Sequence, residues 1–179
     1  MTLVYPGSVT YPPNRDAVQY MIDHILPLIH RQLPQVRLMV TGAIPADGSA
    51  PQGHNVVYTG RVPDVRPLIA AAWICVVPLR SGAGGTRFKL LESMALGTPL
   101  VSTRIGAEGI DGTDGSDILI ADTPEQFAAS TIAVLNSTDL RQQLSAAGRR
   151  SIEQRFDWNV LGARVTAMLE TLIAEKTRM

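Results

Sequence analysis

Residues 81 to 99 read SGAGGTRFKLLESMALGTP, small residues, a hydroxyl and two cations set just ahead of a helical pattern that carries one glutamate. A glycine run feeding a helix is a place to hold an anion. Gly82, Gly84 and Gly85 let the backbone take positive φ and let a bulky anion approach the main chain. The first N–H groups of the helix have no partners within it, and its dipole favours negative charge there. Periodicity predicts a core-facing stripe of Phe88, Leu90, Leu91, Met94 and Ala95, with Thr86, Lys89, Glu92 and Ser93 on the remaining face. An ammonium one turn into the helix can reach phosphate oxygens, and a carboxylate one turn deeper can accept from sugar hydroxyls. The plainer alternative is a loop followed by a solvated Lys89–Glu92 pair worth roughly 0.3 kcal/mol. Two common phosphate motifs are absent. Lys89 follows Phe88, so there is no G-x-x-x-x-G-K-[ST], and no G-x-G-x-x-G follows the first strand. ATPase and dinucleotide dehydrogenase readings thereby lose their support.

The elements around this loop must place it at a sheet edge. LVYPG reads as a strand, and Asn14 stands ahead of a helical pattern (Ala17, Tyr20, Met21, Ile25, Leu28, Ile29) as its N-cap, with Pro27 as a point of bending. VRLMVTG and NVVYTG are strands joined by a loop rich in proline and glycine. Asp64 is expected to cap a short helix, VRPLIAAA. WICVVPL is too apolar for a half-exposed strand and belongs in a sheet covered on both faces. LVST and DILIA are strands separated by the long loop RIGAEGIDGTDGSD. Thr123, Pro124 and Gln126 open the next helix as cap, first residue and capping-box partner. Helices are then expected over 127–135, 139–155 and from Trp158, the last with Val160, Val165, Met168, Leu169, Leu172 and Ile173 as its apolar stripe. This largely alternating order predicts an α/β fold, a Rossmann-like doubly wound parallel sheet with helices on both faces and a helical C-terminal tail. In such sheets ligands collect at the carboxyl ends of the strands, where the glycine loop follows WICVVPL.

The chain has 179 residues, 45% of them hydrophobic, which is enough for one core and one domain over 1–179. Sixteen basic and sixteen acidic residues cancel, so no overall field draws in nucleic acid or an anionic membrane, and nucleic acid is not expected as a partner. The single cysteine, Cys75, lies in the run WICVV and reads as a buried thiol in a reducing, cytoplasmic compartment. No stretch approaches the roughly 20 apolar residues of a spanning helix, and MTLVYPG is too short for a signal peptide. His24, His30 and His54 are scattered and suggest no metal site.

The stretch GRVPDVRPLIAAAWICVVPLRSGAGGTRFKLLESMALGTPLVSTRIGAEGI resembles the nucleotide-sugar half of GT-B retaining glycosyltransferases, especially glycosyltransferase family 4. The resemblance rests on the G-x-V-x-D turn, the P-L-R-x-G-x-G-G-T-R-x-K-x-L-E loop and helix, M-A-x-G-x-P-x-V-S-T and G-A-E-G. YPGSVTYPPN upstream and the helical tail downstream extend it over nearly the whole chain. It implies a donor-binding domain of a hexosyltransferase that takes a nucleoside diphosphate sugar and needs no cofactor or metal. Gly82, Gly84, Gly85 and Thr86 would cradle the diphosphate and Lys89 would neutralise it. Glu92 would bind ribose hydroxyls, and Arg61 and Val62 would lie near the base. Gly106, Ala107 and Glu108 would border the site.

The chain departs from the family pattern in three ways. Counting back eight residues from Glu92 lands on Gly84, so the carboxylate that commonly touches the donor hexose is missing. GSVTYPPN holds no cation before Arg15, which leaves the diphosphate to Lys89, with Arg80 or Arg87. The chain also begins at the first strand of the donor domain, so an N-terminal acceptor domain is expected as a missing partner. Alone the chain would transfer little; in a full-length protein, peripheral contact with the inner membrane face is compatible with the resemblance. The alternative expectation is a non-catalytic nucleotide-binding or interaction module that pairs with a separate acceptor subunit.

Overall fold

A computed structural model describes residues 1–82 and 85–177. Six strands form one sheet: β1 (Thr2–Pro6), β2 (Arg37–Thr41), β3 (Val56–Tyr58), β4 (Ile74–Val77), β5 (Leu100–Ser102) and β6 (Leu119–Ile120). Their spatial order is β3-β2-β1-β4-β5-β6, and every neighbouring pair is parallel. The expected Rossmann-like parallel sheet is therefore present. Leu3 lies opposite Ile74 and Val4 opposite Cys75, so β1 and β4 are neighbours although far apart in sequence. Between them the winding reverses, and this switch point is where a crevice opens at the carboxyl end of a doubly wound sheet.

The apolar runs of β1 and β4 follow from covering both faces. Leu3, Val4 and Tyr5 are buried, as is all of β4. On one face lie α1 (Pro12–Tyr20), a π-helical turn (Met21–Ile25) and α2 (Leu26–His30), packed with α5 (Pro124–Asn136). On the other lie α3 (Arg66–Ala70), α4 (Phe88–Ala95) and α6 (Thr138–Arg155). The tail ends in α7 (Trp158–Thr177).

Two local expectations change. The first helix starts at Pro12, not after Asn14, and Tyr11 in the N-cap position makes no side-chain cap. Pro12 and Pro13 suit a first turn because their fixed φ is already helical and they have no N–H to leave unpaired. The Asn14 side chain is thereby left for other partners. Near Pro27 the rod continues, but the preceding turn widens, and the Leu26 N–H bonds back to Met21 O. A proline ring crowds the carbonyl four residues earlier, and one wider turn relieves that contact.

The buried stripe of α4 also differs from its expectation. Leu90, Ser93 and Met94 are buried, whereas Phe88 is 81% exposed and Ala95 is exposed too. Ser93 tolerates burial because its hydroxyl donates to Lys89 O at 2.7 Å. Thr123 caps α5 as expected, Asp64 bonds to the first turn of α3 although Val65 holds its N-cap position, and Ser137 adds a cap that the sequence did not single out. The Asp64 carboxylate accepts from the Arg66 N–H at 3.0 Å, Thr123 Oγ1 from the Gln126 N–H at 3.3 Å, and Ser137 Oγ from the Leu140 N–H at 3.1 Å.

Candidate functional site

The loop after β1 and the loop between β4 and α4 flank the switch point, and Lys89 stands between them. Its ammonium donates to Asn14 Oδ1 at 2.8 Å and to Tyr5 OH at 3.1 Å, and lies 4.3 Å from the centroid of the Tyr5 ring. Tyr5 comes from the end of β1, Asn14 from the first turn of α1, and Lys89 from the first turn of α4. Burial pushes the Lys89 ammonium down to about 8, opposed by the Cys75 thiol and reinforced by the Arg87 guanidinium. Burial likewise holds the Tyr5 phenol well above its ordinary range. Cys75 itself is buried at the centre of β4, and its thiol is pushed up to about 12 by desolvation. A thiol so placed is a packing residue and not a nucleophile.

Lys89 lines two cavities. One, of about 240 Å³, is bounded by Tyr11, Pro13, Asn14, Leu79, Arg87 and Phe88. The other, of about 280 Å³, is bounded by Gly7, Thr41, Arg61, Val62, Val65 and Glu92. Arg61, Val62, Lys89 and Glu92, which the sequence placed near base, phosphate and ribose, therefore border one space. Between the cavities, α4 starts with Arg87 in an extended N-cap conformation, and the Arg87 side chain does not cap the helix.

The remaining sequence candidates divide. Gly82 (φ 145°) and Gly85 (φ 111°) take backbone conformations that other residues rarely adopt, and both belong to the loop that leads into α4. Gly84 lies outside the described residues. Thr86 Oγ1 donates to Gly109 O at 3.3 Å, which ties the glycine loop to the loop after β5. Arg87 lines the smaller cavity and pairs with Glu108 at 3.8 Å. Gly106 is buried, and a Cβ there would stand 2.7 Å from Val77 O, so it is a packing position; Ala107 packs against the core. Of the G-A-E triplet, only Glu108 is exposed toward Arg87. Arg80 is turned away from the cavities: its Nε donates to Asp16 at 3.1 Å, and its guanidinium lies 4.4 Å from the Tyr20 ring centroid.

Sequence reading missed Tyr5, Gly7 and Asn14. Tyr5 was hidden in a strand run, and Asn14 was assigned to a cap. The signal that could have found them is the YPG and PPN spacing at the carboxyl end of the first strand, where site residues of such sheets gather. Two histidines scattered in sequence, His30 and His54, do meet, with ring centroids 5.7 Å apart. Among the described residues, no group of three or more His, Cys, Asp or Glu side chains is placed to hold a metal ion. No described helix is long and apolar enough to cross a membrane.

A parallel sheet in this order, with a glycine loop and a part-buried lysine at its switch point, is a Rossmann-like half of a GT-B fold. The chain belongs to the family described as Glycosyl transferases group 1, which it matches over residues 1–137. Among curated proteins it is 25% identical over 186 residues to the phosphatidyl-myo-inositol mannosyltransferase of Mycobacterium leprae, covering 99% of this chain and 48% of that one. It is 23% identical over 159 residues to the GDP-mannose-dependent monoacylated alpha-(1-6)-phosphatidylinositol monomannoside mannosyltransferase of Corynebacterium glutamicum, covering 82% and 42%. Anabaena HepE in complex with UDP and glucose superposes with a TM-score of 0.73 at 14% identity, over 94% of this chain and 48% of that one. Sucrose-phosphate synthase from Thermosynechococcus elongatus superposes with a TM-score of 0.75 at 20% identity, over 97% and 46%. The chain spans just under half the length of each of these proteins.

Proposed function

We propose that this chain is the donor-binding half of a retaining glycosyltransferase that takes its sugar from a nucleoside diphosphate sugar. The observation that carries this reading is the position of Lys89 between two cavities, with Arg61, Val62 and Glu92 on one side and Asn14, Arg87 and Phe88 on the other. A nucleoside fits the first, where Glu92 accepts from the ribose hydroxyls and Val62 offers an apolar contact to the base. The diphosphate then lies across Lys89 and the first amides of α4, and the sugar extends into the second cavity. Support comes from the relative described as GDP-mannose-dependent and from the fold neighbours in complex with UDP and UDP-glucose.

In this reading, the bond between the anomeric carbon and the diphosphate oxygen breaks while the acceptor oxygen approaches the same face of the sugar. The acceptor proton passes to the departing diphosphate. Lys89 and the α4 amides stabilise the charge that builds on that leaving group. The acceptor is supplied by a second, N-terminal domain across the crevice, and the closed interface excludes water. Lipid-linked acceptors, and peripheral association with a membrane, fit the names of the phosphatidylinositol mannosyltransferase relatives.

Calorimetric titration with GDP and UDP, each against its nucleoside, tests the proposal. Lys89→Ala is expected to weaken diphosphate binding by about tenfold or more while leaving nucleoside binding nearly unchanged. Glu92→Gln is expected to weaken ribonucleotides more than their deoxyribose counterparts. Equal losses for nucleoside and diphosphate in Lys89→Ala would remove the phosphate role.

A further inference from the structure

We infer that Tyr5 and Asn14 are positioning residues that hold the Lys89 ammonium between the two cavities in its charged form, so that diphosphate affinity depends on two side chains that need not touch the ligand. The inference rests on the donor-site reading and deepens it.

The hydrogen bonds form a closed account. The Asn14 amide nitrogen donates to Ser8 O at 2.9 Å, which fixes the orientation of the amide and turns its oxygen toward Lys89. That oxygen accepts from both Tyr5 OH, at 2.7 Å, and Lys89 Nζ, at 2.8 Å. Because the Tyr5 proton is given to Asn14, the phenol oxygen is left to accept from Lys89. An ammonium has three donors. Two are used here, and the third has no partner among the described residues, which leaves it for a ligand oxygen in the crevice.

The same contacts bear on charge. Lys89 is part-buried, and burial alone favours the neutral amine. The groups that face it are Tyr5 on β1, Cys75 on β4, the neutral Asn14 on α1, Arg87 ahead of α4, and Glu92 in the same helix, with Arg61 across the larger cavity. Arg87 repels the ammonium, and the Cys75 thiol is protonated at neutral pH. The acceptors that touch the ammonium directly are therefore Asn14 Oδ1 and Tyr5 OH. An acceptor aimed at an ammonium stabilises the charged form more than the neutral amine.

The chain contains two lysines, Lys89 and Lys176, and Lys176 is exposed near the end of α7. NMR titration of the lysine side-chain signals therefore resolves Lys89 without any ligand, in the unmodified chain and in Tyr5→Phe, Asn14→Ala and Lys89→Ala. In the unmodified chain the Lys89 signal is expected to titrate at about 8. In Tyr5→Phe and Asn14→Ala it is expected to titrate at lower pH. The affinity of each variant for GDP and UDP is expected to fall about tenfold at about pH 8, and by much less at about pH 6, where the lysine is again protonated. Guanosine and uridine binding should stay level, a pattern that a merely damaged fold would not produce. An unchanged Lys89 titration in both variants, or losses equal at both pH values and for nucleosides as well, would overturn the inference and leave the donor site standing. Absence of binding to either diphosphate, or an unaltered affinity in Lys89→Ala, would instead remove the donor site itself and the inference with it.

Discussion

Gly7 faces the Lys89 ammonium so closely that a Cβ on Gly7 would stand 2.8 Å from Nζ and 2.9 Å from the Asn14 amide nitrogen. No side chain fits there without moving the lysine, the asparagine or both. Gly7→Ala is thus expected to act on the site first and on the fold second. Nucleoside diphosphate affinity should fall about tenfold, and thermal unfolding should show a destabilisation of about 1–3 kcal/mol from overpacking. A variant that melts earlier but binds GDP or UDP normally would show that Lys89 relaxes into the crevice without loss.

Lys89 and Cys75 act on stability with opposite signs. Folding lowers the Lys89 value from 10.5 to about 8, so between those pH values the unfolded chain holds the extra proton and stability rises with pH. Folding raises the Cys75 value from 9.0 to about 12, so above 9.0 the unfolded chain loses a proton that the folded chain keeps, and stability falls. Stability should therefore climb from pH 8 to about pH 9, stay level while the two effects cancel up to about pH 10.5, and fall above that in urea melts. Lys89→Met should abolish the climb, leave the fall, and raise stability at pH 7 by an amount of the order of 2 kcal/mol, while removing diphosphate binding. A flat profile in the unmodified chain would mean that the ammonium is better solvated than its surroundings indicate.

The same residues show how far sequence reached. The sheet was legible because strands and helices largely alternate and WICVVPL is too apolar for a half-exposed strand. That Arg61, Lys89 and Glu92 border one cavity was legible because local motifs carry them. Asn14 was not, since a polar residue near a helix start reads as a cap until Pro12 and Pro13 are seen to occupy the first turn. The placement of Arg80 was not legible either, for the converse reason. A cation next to the glycine loop looks like a phosphate ligand, and only the tertiary fold brings Asp16, sixty-four residues away in sequence, up to its guanidinium. Phe88 fitted the helical period but lies beyond the part of α4 that the sheet covers.

Asp117 and Arg155 tie the long loop after β5 to α6. The carboxylate is 6% exposed; it accepts from Arg155 Nη2 at 2.9 Å and from the Thr113 N–H at 2.7 Å. Arg155 also donates to the Asp111 carbonyl. Removing one partner leaves the other poorly solvated, so Asp117→Ala is expected to cost about 3 kcal/mol and Arg155→Ala somewhat less, because the arginine is the more exposed partner. Glu108 sits on the same loop, opposite Arg87. Loosening the loop should therefore also weaken donor binding modestly, through that pair and through the Thr86 bond to Gly109. A double-mutant cycle between positions 117 and 155 measures the first effect, and GDP and UDP titration of Asp117→Ala measures the second.

Much of the apolar stripe of α7 is exposed: Val165 is 58% exposed, Met168 64%, Leu169 53% and Leu172 51%. Phe156, just before the helix, is by contrast packed against the core. The free energy that holds the sheet together thus ends near Asp157, and α7 adds surface without adding core. Shortening the chain after Asp157 is expected to change unfolding free energy by less than about 1 kcal/mol while sharply reducing self-association and binding of an apolar dye. Replacing Leu169 and Leu172 with glutamine in the intact chain should reproduce the loss of association without any truncation. A large fall in stability on truncation would show instead that α7 folds back onto the domain in solution.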